Sequence, residues 1–69
     1  MSRGIEEVEA FLLSQGPYER EEPADPHRVR WRHRQLPWMT VSLTLNAAGR
    51  IPEPDFQWLV KQFNDEGGL

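Results

Sequence analysis

Hydrophobic positions along the chain follow two periods. Ile5, Val8, Phe11 and Leu12 recur at helical spacing and form one apolar stripe. The pattern predicts a helix over residues 3–15. Ser2 stands where a hydroxyl caps a helix, and Glu6 and Glu7 fall in the first turn, where the helix dipole favours negative charge. Gly16-Pro17 predicts the stop, with glycine in the left-handed position and a proline that cannot continue the helix. Phe56, Leu59, Val60 and Phe63 repeat the spacing i, i+3, i+4, i+7 and predict a closing helix. Pro52-Glu53-Pro54 opens it and Gly67-Gly68 ends it.

Between these stripes the period changes to two. Over residues 27–34, His27, Val29, Trp31 and His33 alternate with Arg28, Arg30, Arg32 and Arg34. In a strand, alternate side chains point to opposite faces, so the four arginines share one face and Val29 and Trp31 the other. On a helix the arginines would scatter and no apolar stripe would remain. After the turn Gln35-Leu36-Pro37, Met39, Val41, Leu43 and Leu45 alternate with Thr40, Ser42 and Thr44, which predicts a second strand. Tyr18-Glu19-Arg20-Glu21 fits a short edge strand. The segment Glu22-Pro23-Ala24-Asp25-Pro26 reads as a loop, and Asn46-Ala47-Ala48-Gly49 as a turn. Arg50-Ile51 has room for one more short strand.

Two amphipathic helices and a sheet with one apolar side can bury their apolar faces only against each other. The predicted architecture is a single α+β domain over residues 1–69. It is a two-layer sandwich of helix, three-stranded antiparallel sheet and helix. The expected core is Phe11, Leu12, Val29, Trp31, Val41, Leu43, Leu59 and Phe63, with the arginine face left in water.

Composition sets limits on this picture. At 69 residues the chain buries only about 60% of its unfolded surface. It has no cysteine, so neither a disulfide nor a thiolate zinc site is available, which fits a reducing, cytoplasmic setting. No apolar run is long enough to span a bilayer, and the start Met1-Ser2-Arg3-Gly4 lacks the apolar centre of a signal peptide. The net charge of −3 hides an uneven distribution. Residues 1–26 carry two arginines against seven acids, residues 27–50 five arginines and no acid, and residues 51–69 one lysine against four acids. A local field of one sign is what an anionic partner senses.

Candidate chemistry centres on the predicted arginine face. Planar guanidinium forks suit phosphate or carboxylate, and Arg28, Arg30, Arg32 and Arg34 lie beside the hydroxyls of Thr40, Ser42 and Thr44. The alternative is internal neutralisation by Glu19, Glu21 and Glu22 across the sheet. Trp38 and Trp58 fall off the apolar alternations, as interface anchors or as the rim of the core. Glu6, Glu7 and Glu9 read as a solvated helix face. The histidines His27 and His33 lie at the two ends of one strand, where imidazole serves as acid or base or simply closes the apolar face. No glycine-rich phosphate loop, serine triad spacing, nucleotide fingerprint or metal-ligand spacing is present, so no cofactor and no metal are expected.

The order of elements also resembles a known family. A first helix ending at Gly16 is followed by Tyr18-Glu19-Arg20-Glu21 and His27-Arg28-Val29-Arg30-Trp31-Arg32-His33. Then come Thr40-Val41-Ser42-Leu43 and a closing helix from Asp55 to Phe63. This order resembles the HicA-type mRNA interferase toxins, which have a double-stranded-RNA-binding-like fold. The resemblance implies the helix–three-strand–helix layout and a catalytic histidine opening the second strand, the place held by His27.

Taken by themselves, the residues lack a complete catalytic set. They favour a non-catalytic binding or regulatory module that presents an arginine-faced strand to an anionic partner, an acidic protein surface or RNA. The alternative is a HicA-like endoribonuclease with His27 as general base. No membrane or small-molecule cofactor is expected as a partner, and the oligomeric state stays open.

Overall fold

A computed structural model describes residues 1–22 and 25–66. In chain order its elements are β1 (Ser2–Arg3), α1 (Ile5–Gln15), β2 (Tyr18–Glu21), β3 (Arg28–His33), β4 (Thr40–Thr44), β5 (Ile51–Pro52) and α2 (Glu53–Glu66). β2, β3 and β4 form an antiparallel sheet with β3 in the middle, and β1 pairs with β5 in a separate antiparallel ribbon. The fold is the predicted α+β sandwich of two helices and a three-stranded sheet, with the ribbon as an addition. No helix among the described residues is long and apolar enough to cross a membrane.

The alternation of β3 and β4 sorts their side chains as expected. Val29, Trp31, Val41 and Leu43 are buried, and Trp31 is the largest side chain fully removed from solvent. Val8 and Leu12 from α1, Phe56, Leu59 and Phe63 from α2, Tyr18 from β2 and Ile51 from β5 complete the core. Phe11, expected in the core, is only half-buried. It sits between the helices with its ring edge-on to Phe56 at 5.7 Å and to Phe63 at 5.6 Å. Edge-to-face geometry sets the positive ring edge against the negative face of its neighbour.

Several local expectations are corrected. α1 starts at Ile5 rather than at residue 3, and Ser2 does not cap it: the cap is Gly4, without a side-chain bond. Ser2 and Arg3 are drawn instead into the ribbon, where Ser2 pairs with Pro52 and Arg3 with Ile51. The expected strand at Arg50-Ile51 is thus Ile51–Pro52, and its partner is the N-terminus. Arg3 then reaches α2, donating from Nε to Glu53 at 2.8 Å and from Nη2 at 3.1 Å, with its guanidinium 4.6 Å from the Phe56 ring centre.

Gly16 is not left-handed. Its φ of 175° and ψ of 179° describe extended backbone that any residue adopts, while its N–H still closes the helix on the Leu12 carbonyl at 3.0 Å. An added Cβ would lie 3.2 Å from Nε2 of His33, so that ring would have to give by a few tenths of an ångström. The left-handed glycine is Gly49, at φ 74°, in the turn between β4 and β5. Pro23 and Ala24 of the expected loop, and the expected stop at Gly67-Gly68, lie outside the described residues.

Glu9 is also not part of a solvated face. Its Oε1 accepts from the indole Nε1 of Trp31 at 2.9 Å and from Nε of Arg20 at 2.9 Å. A buried tryptophan needs a partner for its N–H, and Glu9 is placed on α1 to supply it. These bonds hold the Glu9 carboxyl below its ordinary pKa, the Arg20 bond contributing most.

Candidate anion-binding face

Strand register assembles the outer face of the sheet. Arg32 lies between Glu19 of β2 and Thr40 of β4, Arg30 between Glu21 and Ser42, and Arg28 beside Thr44. The helices cover the opposite side. Four guanidiniums therefore stand with three hydroxyls on one surface, as the alternation predicts. Arg34 lies one residue past the end of β3 and is still tied to the sheet by its N–H to the Pro17 carbonyl at 2.9 Å.

Two carboxylates on β2 divide the arginines. Glu21 receives Nε of Arg32 at 2.8 Å, and Nε of Arg30 lies 3.1 Å from its other oxygen, off the line of a good hydrogen bond. Arg32 also donates to the Pro37 carbonyl at 2.8 Å. The hydrogen bond from Arg32 is the main reason the Glu21 carboxyl sits below its ordinary pKa. Arg34 and Glu19 approach only to 3.9 Å, and both are about 70% exposed, so that pair is loose. Glu22 forms no ion pair among the described residues.

Arg28 differs from the other three. It is exposed, and no described carboxylate lies within ion-pair distance of it. Its Nη2 donates to Oγ of Ser42 at 2.8 Å, next to the exposed Thr44. One unneutralised guanidinium thus stands among two hydroxyls, an arrangement suited to an oxyanion. At the other end of the face, Glu19, Glu21, Arg32, His33 and Arg34 border a shallow depression of about 310 Å³.

No protein-family model, no curated protein and no solved structure matches this chain.

The remaining candidates separate in space. Trp38 is 75% exposed in the turn leading into β4. Trp58 is 52% exposed, but it lies on the side of α2 away from Phe56, Leu59 and Phe63. It is therefore on the far side of the molecule from the arginines.

The two histidines have different surroundings. His27 is exposed in the turn before β3, its backbone N–H donating to the Asp25 carboxylate at 2.8 Å. His33 is half-buried, edge-on to Tyr18 at 5.1 Å. Its Nδ1 accepts the backbone N–H groups of Gln35 at 3.1 Å and Leu36 at 3.2 Å, shaping the turn into β4. Six residues of extended chain separate them by about 20 Å, so they cannot act as an acid–base pair on one scissile bond. No group of three or more metal-ligating side chains is gathered among the described residues.

Sequence reasoning missed the unequal status of the arginines. The alternation placed them on one face, and Glu19 and Glu21 were visible as possible partners. Which arginine each carboxylate takes depends on the register between β2 and β3, which no local pattern encodes.

Proposed function

We propose that the protein is a small non-catalytic binding module, acting in a cysteine-reducing compartment such as the cytoplasm. Its open sheet face engages an anionic partner, an acidic protein surface or a nucleic acid. The observation that carries this reading is the charge surplus on the face. Glu19 and Glu21 stand against four arginines, and no described carboxylate lies within ion-pair distance of Arg28, whose Nη2 donates to Ser42. A cation left without a carboxylate adds little to folding, so its use is sought outside the chain.

The test is a titration with two fluorescent probes, a single-stranded RNA oligonucleotide and a polyglutamate peptide, over a range of salt. Replacing Arg28, Arg30 and Arg32 together by alanine should weaken binding about tenfold or more while the circular dichroism spectrum is kept. Counterion release gives RNA binding a steep salt slope, about −0.7 per phosphate contacted. No binding of either probe, or affinity unchanged in the triple variant, refutes the proposal. RNA cleavage that disappears in His27→Ala would instead establish the HicA-like ribonuclease reading, with His27 as the sole general base.

A further inference from the structure

The sheet has two edges, and they are not alike. The β2 edge is short and charged, with Glu19, Arg20 and Glu21 following Pro17, the features that keep an edge from pairing with another chain. The β4 edge, one residue longer, lacks the charges. Thr40-Val41-Ser42-Leu43-Thr44 carries no charge, proline or glycine, and no strand covers it among the described residues.

The hydrogen-bond phase of β4 shows which backbone groups this edge offers. His33 donates to the Met39 carbonyl at 2.9 Å, and Leu45 donates to the His27 carbonyl at 2.7 Å. In an antiparallel ladder the β4 residues that share this phase, Val41 and Leu43, turn their N–H and C=O groups toward β3. Thr40, Ser42 and Thr44 therefore turn theirs outward. All three are exposed.

We propose that this edge pairs with the same edge of a second copy of the chain, antiparallel about a two-fold axis at Ser42. The β4 pattern is self-complementary in this register. Ser42 meets Ser42 of the other copy and Thr40 meets Thr44, each as a hydrogen-bonded pair, for roughly six backbone bonds in all. Val41 meets Leu43, so the apolar layer beneath continues across the joint. No charge lies opposite another. The two sheets become one six-stranded sheet. The second copy is the occupant this pattern fits, because a β2-type edge would bring its charges against uncharged Thr and Ser.

A joint of five residues on each side is small, so association is weak, with a midpoint of about 0.1–1 mM. It is also nearly independent of salt, which separates it from binding at the arginine face. The experiment is sedimentation equilibrium over a concentration series, with circular dichroism as the check on folding. Wild type should rise from the monomer mass toward twice that mass. In T40K/T44K, lysine faces lysine across the axis at both ends, and the protein should stay monomeric. In T40K/T44E, lysine faces glutamate, and dimers should persist and become salt-sensitive. Amide exchange at Thr40, Ser42 and Thr44 should slow on dimerisation in wild type. A wild type that is monomeric at every concentration overturns the proposal, as it would if the edge takes a strand of a different protein. Dimers that survive T40K/T44K unchanged overturn it as well.

Discussion

Replacing Glu9 by alanine tests how the buried tryptophan is held. Trp31 is fully buried, and its indole N–H has the Glu9 carboxylate as its partner at 2.9 Å. Removing that acceptor leaves a buried donor unpaired, at a cost of about 1–3 kcal/mol. The lost ion pair with Arg20 adds little, because the Arg20 side chain is 42% exposed and such pairs contribute about 0–1 kcal/mol. Alanine's higher helix propensity offsets a few tenths of a kcal/mol within α1. The expected net loss is about 1–3 kcal/mol, which in a domain of this size lowers Tm by roughly 4–8 °C per kcal/mol. Thermal denaturation of Glu9→Ala, Glu9→Gln, Arg20→Ala and the Glu9→Ala/Arg20→Ala double variant separates the contributions. Glu9→Gln keeps an acceptor for the indole and should lose much less than Glu9→Ala. Arg20→Ala should sit near wild type. Because the folded Glu9 carboxyl titrates below its ordinary pKa, its contribution is present above the unfolded pKa and fades as pH falls through the folded one. The reasoning fails if Glu9→Ala is no more damaging than Arg20→Ala, since the indole bond would then contribute nothing.

Two further outcomes follow from the packing. Phe63 is 4% exposed and meets Phe11 and Tyr18 edge-on, so Phe63→Ala should cost about 3–5 kcal/mol by urea denaturation. A chain of 69 residues has roughly 3–10 kcal/mol in total, so this variant should be largely unfolded at 37 °C. The Glu53 carboxyl, held by the hydrogen bond from Arg3 and then by Gln57, is lowered to about 2. A depressed folded pKa stabilises above the unfolded value near 4.5 and is lost as pH falls toward 2, so a Tm series over that window should drop more steeply for wild type than for Glu53→Gln. Equal slopes would mean that the Arg3–Glu53 pair does not form in solution.

What the sequence determined is what its periods encode. Alternation in residues 28–33 and 40–44 decides which side chains share a face, because a strand has a strict period of two. The stripes of α1 and α2 decide which sides of the helices are buried, and together these faces imply the sandwich. All of these are relations between residues close in sequence. The tertiary structure decided the rest through contacts between distant segments. Ser2 and Arg3 read as the start of a helix, yet they pair with residues some fifty positions away. Glu9 looks like one more acid on a polar helix face until the fold sets it over the Trp31 indole. Glu21 is spent on Arg30 and Arg32 while Arg28 keeps its charge, because register places β2 beside one end of β3 only. The open β4 edge exists because the sheet order is β2-β3-β4 and nothing described lies outside it. Pairing, register and edges depend on how elements meet in space, and the local pattern of polar and apolar residues is the same for many such arrangements.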